Sequence, residues 1–297
     1  MRLLLTLIGT LLVHGIAAAA CPPTGTSRTQ LAELQAAKWE VADEARRQAL
    51  AIGLLGCLGD PDPVLRDGMA YEALSVWMRA QKLDPATLGR IRASQLAVLK
   101  QQDAAGFAQP FAALVLAEVA RTDRIKPWLS EGERNELLEG AAAYLAAVRD
   151  YRGYNEKEGW RHGVAHAADL MLQLSLNPAL GKREQKLILS AVAAQLSATG
   201  AAASAHFFQY GEGERLMAPV FYLARRNELD AAEWEAWIGS IAITPADPSF
   251  RTQAGLARRH NLKSFLMPLY VSLGESKDEA QRDRLLPAVR KVLRPAG

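Results

Sequence analysis

Apolar residues recur at three- and four-residue spacing in segment after segment of this chain, a period that fits helices and little else. Ala and Leu are abundant, and both are strong helix formers. No run of four or more positions alternates strictly with Val, Ile and Thr, as a half-buried strand would. Helix ends are marked as well. Asp62-Pro63 and Asp84-Pro85 each join an N-cap to a proline at the first helical position. Ser130 with Glu133, and Ser276 with Glu279, fit the capping box. Asn177-Pro178 and Gly274 read as stops.

These signals predict about eleven helices, most of them in antiparallel pairs. The pairs are 64–81 with 85–102, 107–121 with 130–149, 160–176 with 182–198, 212–227 with 230–242, and 255–273 with 276–293. One or two more helices cover 28–58. Successive pairs begin about 43 to 53 residues apart, near the period of two-helix solenoid repeats. The segment from Asp60 to Ala70 resembles the turn and second-helix start of a HEAT repeat. The fold class expected is therefore all-α, a HEAT-like α/α superhelix of antiparallel helix pairs, with a closed α/α toroid as the alternative. Residues 21–297 read as a single α-helical repeat domain, long enough to bury a core without a metal or a disulfide.

Met1 to Ala20 reads as a signal peptide: Arg2 supplies the positive start, Leu3 to Ile8 begin an apolar core, and Ala17 to Ala20 offer small-residue cleavage sites. The expected location is periplasmic or secreted. That core is short for a membrane span, and no later apolar run is long enough to be a transmembrane span. Two cysteines remain, Cys21 and Cys57, and in an oxidising compartment an even pair suggests one disulfide. A lipid anchor at Cys21 is the competing use, although Ala18 stands where a lipid-attachment motif normally has Leu. The chain carries 35 basic and 32 acidic residues, interleaved rather than gathered in a stripe, which argues against nucleic acid as the partner. There is no phosphate loop, nucleophile elbow, Cys-x-x-Cys or dinucleotide fingerprint.

Chemistry-bearing residues gather in one region. His162 and His166 lie four apart, and at about 100° per residue Asp169 and Gln173 share their stripe on a helix. A His pair at this spacing can chelate one divalent transition metal with Asp169 as third ligand. Alternatively, His166 can act as a general base oriented by Asp169. The plain alternative is that the stripe faces a polar groove, or that each imidazole caps a neighbouring element. No other cofactor is implied. The loop before it supplies Arg152, able to grip an anion, with Tyr154, Glu158 and Trp160. The turn at Tyr210 to Arg215 brings Glu212, Glu214 and Arg215, whose acids suit a helix start and can also reach the histidines. Arg66 and Asp67 read as a salt bridge inside one repeat.

Arg152-Gly153-Tyr154, Gly159-Trp160, His162, Ala165-His166, Ala168-Asp169 and Leu170 together resemble the core motif of domain-of-unknown-function family 2785. So do Asp60-Pro61-Asp62-Pro63, Leu65-Arg66-Asp67, Phe111 to Leu114, and Gly211-Glu212 with Glu214-Arg215-Leu216. The resemblance runs from about residue 30 to 245. It implies an all-helical fold and the same important stripe, but no reaction. Two positions depart from the family pattern: Gly213 stands where an acid is usual, and Gln109-Pro110 where an Arg-Ser pair is usual. The function expected is an exported helical-repeat protein that binds a peptide, a protein or a small-molecule ligand in a polar groove around His162, His166 and Asp169. The alternatives are a metal-assisted or His-based hydrolase on the same stripe, and a sugar-active toroid using Glu158 and Glu212 as its carboxylate pair.

Overall fold

The computed structural model describes residues 21–197, 205–243 and 251–296; the expected signal peptide, Met1 to Ala20, lies outside the described residues. Within them the chain is all-α. Its helices are α1 (Arg28–Ala36), α2 (Glu44–Leu54), α3 (Glu72–Arg79), α4 (Pro85–Leu99), α5 (Ala108–Ile125), α6 (Glu131–Ala147), α7 (Gly163–Ser175), α8 (Lys182–Leu196), α9 (Glu212–Ala224), α10 (Ala231–Ser240), α11 (Gln253–Gly274) and α12 (Glu279–Ala296). The only strands among the described residues are two short ones, β1 (Tyr154–Asn155) and β2 (Gly159–Trp160), paired antiparallel. The odd-numbered helices α3, α5, α7, α9 and α11 pack side by side in order, and α2, α4, α6 and α8 form a second row. Hairpin partners α4 with α5, α6 with α7, and α11 with α12 connect the rows.

The expected starts hold where a side chain satisfies the first free N–H groups. Asp84 Oδ1 accepts from Thr87 N at 2.6 Å, and Ser130 with Glu133 closes a capping box. The start of α12 differs from expectation: Asp278, not Ser276, accepts from the N–H three residues on, while Ser276 hydrogen-bonds Gln281. The segment expected as the first part of a regular helix over 64–81 is π-helical from Val64 to Tyr71, and only Glu72–Arg79 is α-helical.

Helix α5 holds the core together. Phe111, Val115 and Val119 on one side join an N-terminal apolar cluster that includes Trp39, Leu74 and Trp77. Ala112, Ala113, Leu116, Ala117 and Ala120 on the other side join a second cluster that extends to Val292. A helix apolar around most of its circumference has to be buried on most sides. The run of alanines lets α7 approach closely.

The C-terminal end of α5 is fixed by Asp123, a buried carboxylate. It accepts from Trp128 N and Leu129 N at 3.0 and 2.9 Å, from Asn177 Nδ2 at 2.8 Å, and pairs with Arg134 Nε at 2.9 Å. One side chain thus ties α5 to α6 and to the turn after α7. Its charge is tolerated because every oxygen is satisfied.

Cys21 and Cys57 form a disulfide, with Cα atoms 5.0 Å apart across 36 residues of sequence. The same Sγ of Cys21 would be needed for a lipid anchor. The bridge clips the tail to the 3-10 turn Leu55–Gly59 that follows α2. Closing a loop of that length constrains the unfolded chain by roughly 3–4 kcal/mol. Protein recovered unreduced from an oxidising compartment should show no reactive thiol after denaturation, and Cys21→Ser should lower the unfolding free energy by about that amount. Two titratable thiols in the unreduced chain would contradict the bridge.

Candidate functional site

The site begins with Arg66 in the π-helical segment. Its side chain has no exposure to solvent. The guanidinium lies over Phe107 and Phe111, 4.2 and 4.9 Å from the ring centres, which suits a weakly hydrated planar cation. Nη1 donates to Asp60 O at 2.8 Å, and Nη2 donates to Glu158 O at 2.7 Å and pairs with Asp67 at 2.7 Å. The pair with Asp67 is the one expected from the sequence. The reach to Glu158 was not legible there, and it fastens the β1–β2 hairpin onto the start of the π-helical segment. Gly159 follows at φ +71°, and a Cβ on it would stand 2.9 Å from Pro63 Cβ and 3.0 Å from Arg66 Nη2. Only glycine fits that approach.

The hairpin explains why the helix expected to start at residue 160 starts at 163. Arg161 N donates to Gly153 O and His162 N to Arg152 O, at 3.0 and 3.1 Å, so these residues extend the ladder instead of turning helical. His162 then takes the N-cap of α7 in a left-handed conformation, φ 60° and ψ 41°. It is therefore not on the helix surface, and the stripe deduced from helical angles is assembled differently.

Even so, the two imidazoles meet. Their ring centres are 5.6 Å apart. His162 stacks on Trp160 at 4.7 Å and its Nε2 lies 3.0 Å from Tyr210 O; His166 packs edge-on to Phe111, and its Nδ1 lies 3.2 Å from Pro110 O. A carbonyl oxygen only accepts, so each of those nitrogens carries the hydrogen. His162 Nδ1 and His166 Nε2 remain, and neither bonds to a described residue. Burial pushes both imidazoles below their ordinary range, His166 to about 3, where the neighbouring His162 adds to the effect. Both rings are neutral at pH 7.

Acids surround the pair, each already engaged. Asp169 accepts two bonds from Arg215 Nη1 at 2.7 and 2.8 Å; burial raises its pKa despite that partner. Glu118 on α5 is buried, pairs with Arg79 on α3 and receives Tyr71 Oη at 3.5 Å. Burial, with Glu118 adding to it, pushes the Tyr71 hydroxyl up to about 12. Gln173 accepts from Arg124 at 3.2 Å. Among the described residues no group of three or more His, Cys, Asp or Glu is placed to hold a metal ion. The expected trio of His162, His166 and Asp169 makes its described contacts with two carbonyls and a guanidinium.

The other expected site residues separate into two sets. Tyr154, Trp160 and Tyr210 form an exposed aromatic shelf beside His162, 48%, 36% and 36% exposed, with Trp160 5.1 Å from Tyr154 and 5.8 Å from Tyr210. Arg215 stands half exposed on the adjoining helix. By contrast, Arg152 grips Asp150 and donates to Ala104 O, so it pins its own loop. Glu212 is buried and accepts from Tyr210 N at 2.8 Å, closing the turn into α9. Glu214 lies exposed on α9, and Glu158 pairs with Arg161 at 3.1 Å. Glu158 and Glu212 thus serve different local partners. Sequence reading missed Tyr71, Arg79, Glu118 and the Pro110 carbonyl. The signal available was charge inside apolar helical runs, at Arg66 and Glu118.

Fold and site together define an all-helical protein with two buried imidazoles set among α5, α7 and α9. A family model described as "Protein of unknown function (DUF2785)" matches residues 96–271, more than half of the chain, and the protein belongs to that family. The match takes in both histidines and Arg215, and begins after the Asp60 to Asp67 segment. No curated protein and no solved structure matches the chain. At Gly213, where the family pattern leads one to expect an acid, a Cβ would stand 2.3 Å from Ser264 Oγ and 2.6 Å from the Ser264 backbone, so α11 closes that position.

The depressed imidazoles set a pH dependence. The unfolded chain takes up a proton near pH 6.5 that the folded chain resists until far lower, so stability is full above that pH and falls as the pH drops toward 3. His166 contributes a slope approaching about 1.4 kcal/mol per pH unit. His166→Asn keeps a donor toward Pro110 O but does not titrate. Its urea midpoint should change less between pH 6.5 and 5 than that of the wild type. Equal slopes would contradict a buried neutral imidazole.

Proposed function

We propose that the chain is an exported helical-repeat protein, one unit from residue 21 onward, that binds a peptide, protein or small ligand at the hollow around His162, His166 and Asp169. The single observation that carries this reading is the shelf of Tyr154, Trp160 and Tyr210. Three aromatic rings keep exposed surface around a fixed imidazole, with the half-exposed guanidinium of Arg215 alongside. Rigid aromatics and arginine are the side chains that most often dominate a binding surface. The ligand chemistry they favour is an aromatic or apolar group next to a negative charge. The Cys21–Cys57 disulfide supports an oxidising compartment, and no described helix is long and apolar enough to cross a membrane.

The hydrolase alternative needs a catalytic acid or metal at the open imidazole nitrogens, and the acids nearby are committed to Arg215 and Arg79. Panning a displayed random peptide library against the chain from residue 21 tests the binding reading. Peptides with an aromatic residue beside an acid should be enriched, and Trp160→Ala should weaken the selected peptides at least tenfold, about 1.4 kcal/mol. No enrichment, or unchanged affinity in Trp160→Ala, would overturn it.

A further inference from the structure

A cavity lies beside Pro110, lined by Arg161 and Gly163 on either side of His162 but by neither histidine. It occupies about 310 Å³ between α4, α5, α6 and the loop that follows α6. For scale, a cavity of ~150 Å³ takes one benzene ring. Leu99, Ala143, Ala147 and Val148 supply apolar walls. Tyr144 is only 7% exposed, and its hydroxyl, 3.3 Å from where a Cβ on Gly163 would stand, makes no hydrogen bond to a described residue. A hydroxyl that opens onto a cavity and is not used by the protein is free to donate to a ligand there.

The charges at the rim choose its sign. Lys100 and Arg149 line the cavity, and neither pairs with a carboxylate among the described residues; Arg149 donates to the carbonyls of Ala146 and Val148. Arg161, also lining it, is shared with Glu158. The one acid in the lining, Asp150, is answered by Arg152. Nearby Asp103 accepts from Gly106 N and Gln109 N. Asp103 and Asp150 both bear on the Tyr144 hydroxyl, but among the lining residues Lys100, Arg149 and Arg161 outnumber Asp150, so the excess in the lining is positive.

We propose that this cavity is a binding site for a small aryl carboxylate: a flat apolar body of one or two rings against the walls, a hydrogen bond from Tyr144, and a negative charge facing Lys100 and Arg149. The site is separate from the aromatic shelf and does not depend on the function proposed for it. The two adjoin at Pro110, whose carbonyl holds His166 and whose residue lines the cavity.

Calorimetric titration of the chain from residue 21 with indole-3-acetate, and with the neutral indole-3-acetamide as control, tests the assignment. No peptide is involved, so the result is independent of the shelf. Indole-3-acetate should bind with a sub-millimolar Kd, of the order expected for a ligand of that size, and the amide at least tenfold more weakly. Tyr144→Phe removes the hydroxyl alone and should weaken binding roughly five- to tenfold. Ala147→Trp, at an exposed helix position, should fill the cavity and abolish binding while thermal unfolding stays cooperative. Failure of the acid to bind, equal binding of acid and amide, or undiminished binding to a folded Ala147→Trp would each overturn the proposal.

Discussion

The structure turns on one buried charge. A guanidinium taken wholly out of water is costly unless its donors and its face are satisfied. Arg66 meets most of that requirement by reaching three places at once, with Nε alone left without a hydrogen-bond partner among the described residues: Asp60 and Asp67 beside it in the chain, the Glu158 carbonyl far along it, and the rings of Phe107 and Phe111 at the start of α5. The N-terminal cluster, the central helix and the hairpin before α7 are therefore held to one another by a single side chain. The hairpin in turn sets the left-handed N-cap at His162, so the position of the first imidazole follows from Arg66 even though the two residues do not touch.

The second imidazole is fixed from the opposite direction. His166 is anchored by α5 through Pro110, His162 by the turn into α9 through Tyr210, and both sit at the beginning of α7, the helix between them. Each ring spends one nitrogen on a carbonyl and keeps the other. Burial holds both rings neutral, and the carboxylates close to them are answered by Arg215 and Arg79. The outcome is a preorganised pair of buried imidazoles beside an exposed aromatic shelf, fixed by backbone groups more than by its own side chains.

Much of the architecture was legible in the sequence because it rests on local signals. Periodicity and caps such as Asp84 and Ser130 gave the helices, and the two cysteines gave the bridge, but the expected pairing did not hold throughout: α4 packs on α5 and α6 on α7, rather than α3 on α4 and α5 on α6. What was not legible depends on distant backbone. Helical angles put His162 on the stripe of His166, but the ladder bonds to Arg152 and Gly153 pull it off the helix, and stacking on Trp160 brings it back toward its partner by another route. Arg152, an anion clamp on sequence grounds, is used up by Asp150 two residues away. Glu118 could not be linked to the site, because its place depends on α3 lying beside α5. Carbonyl acceptors such as those of Pro110 and Tyr210 have no side-chain signature at all.

The central claim is that two neutral imidazoles are each pinned through one named nitrogen. Long-range ¹H–¹⁵N correlation spectra of histidine-labelled protein at neutral pH read this directly. His162 should appear as the static tautomer protonated at Nε2 and His166 as the one protonated at Nδ1. An imidazolium pattern, or averaged tautomers, at either ring would contradict the account.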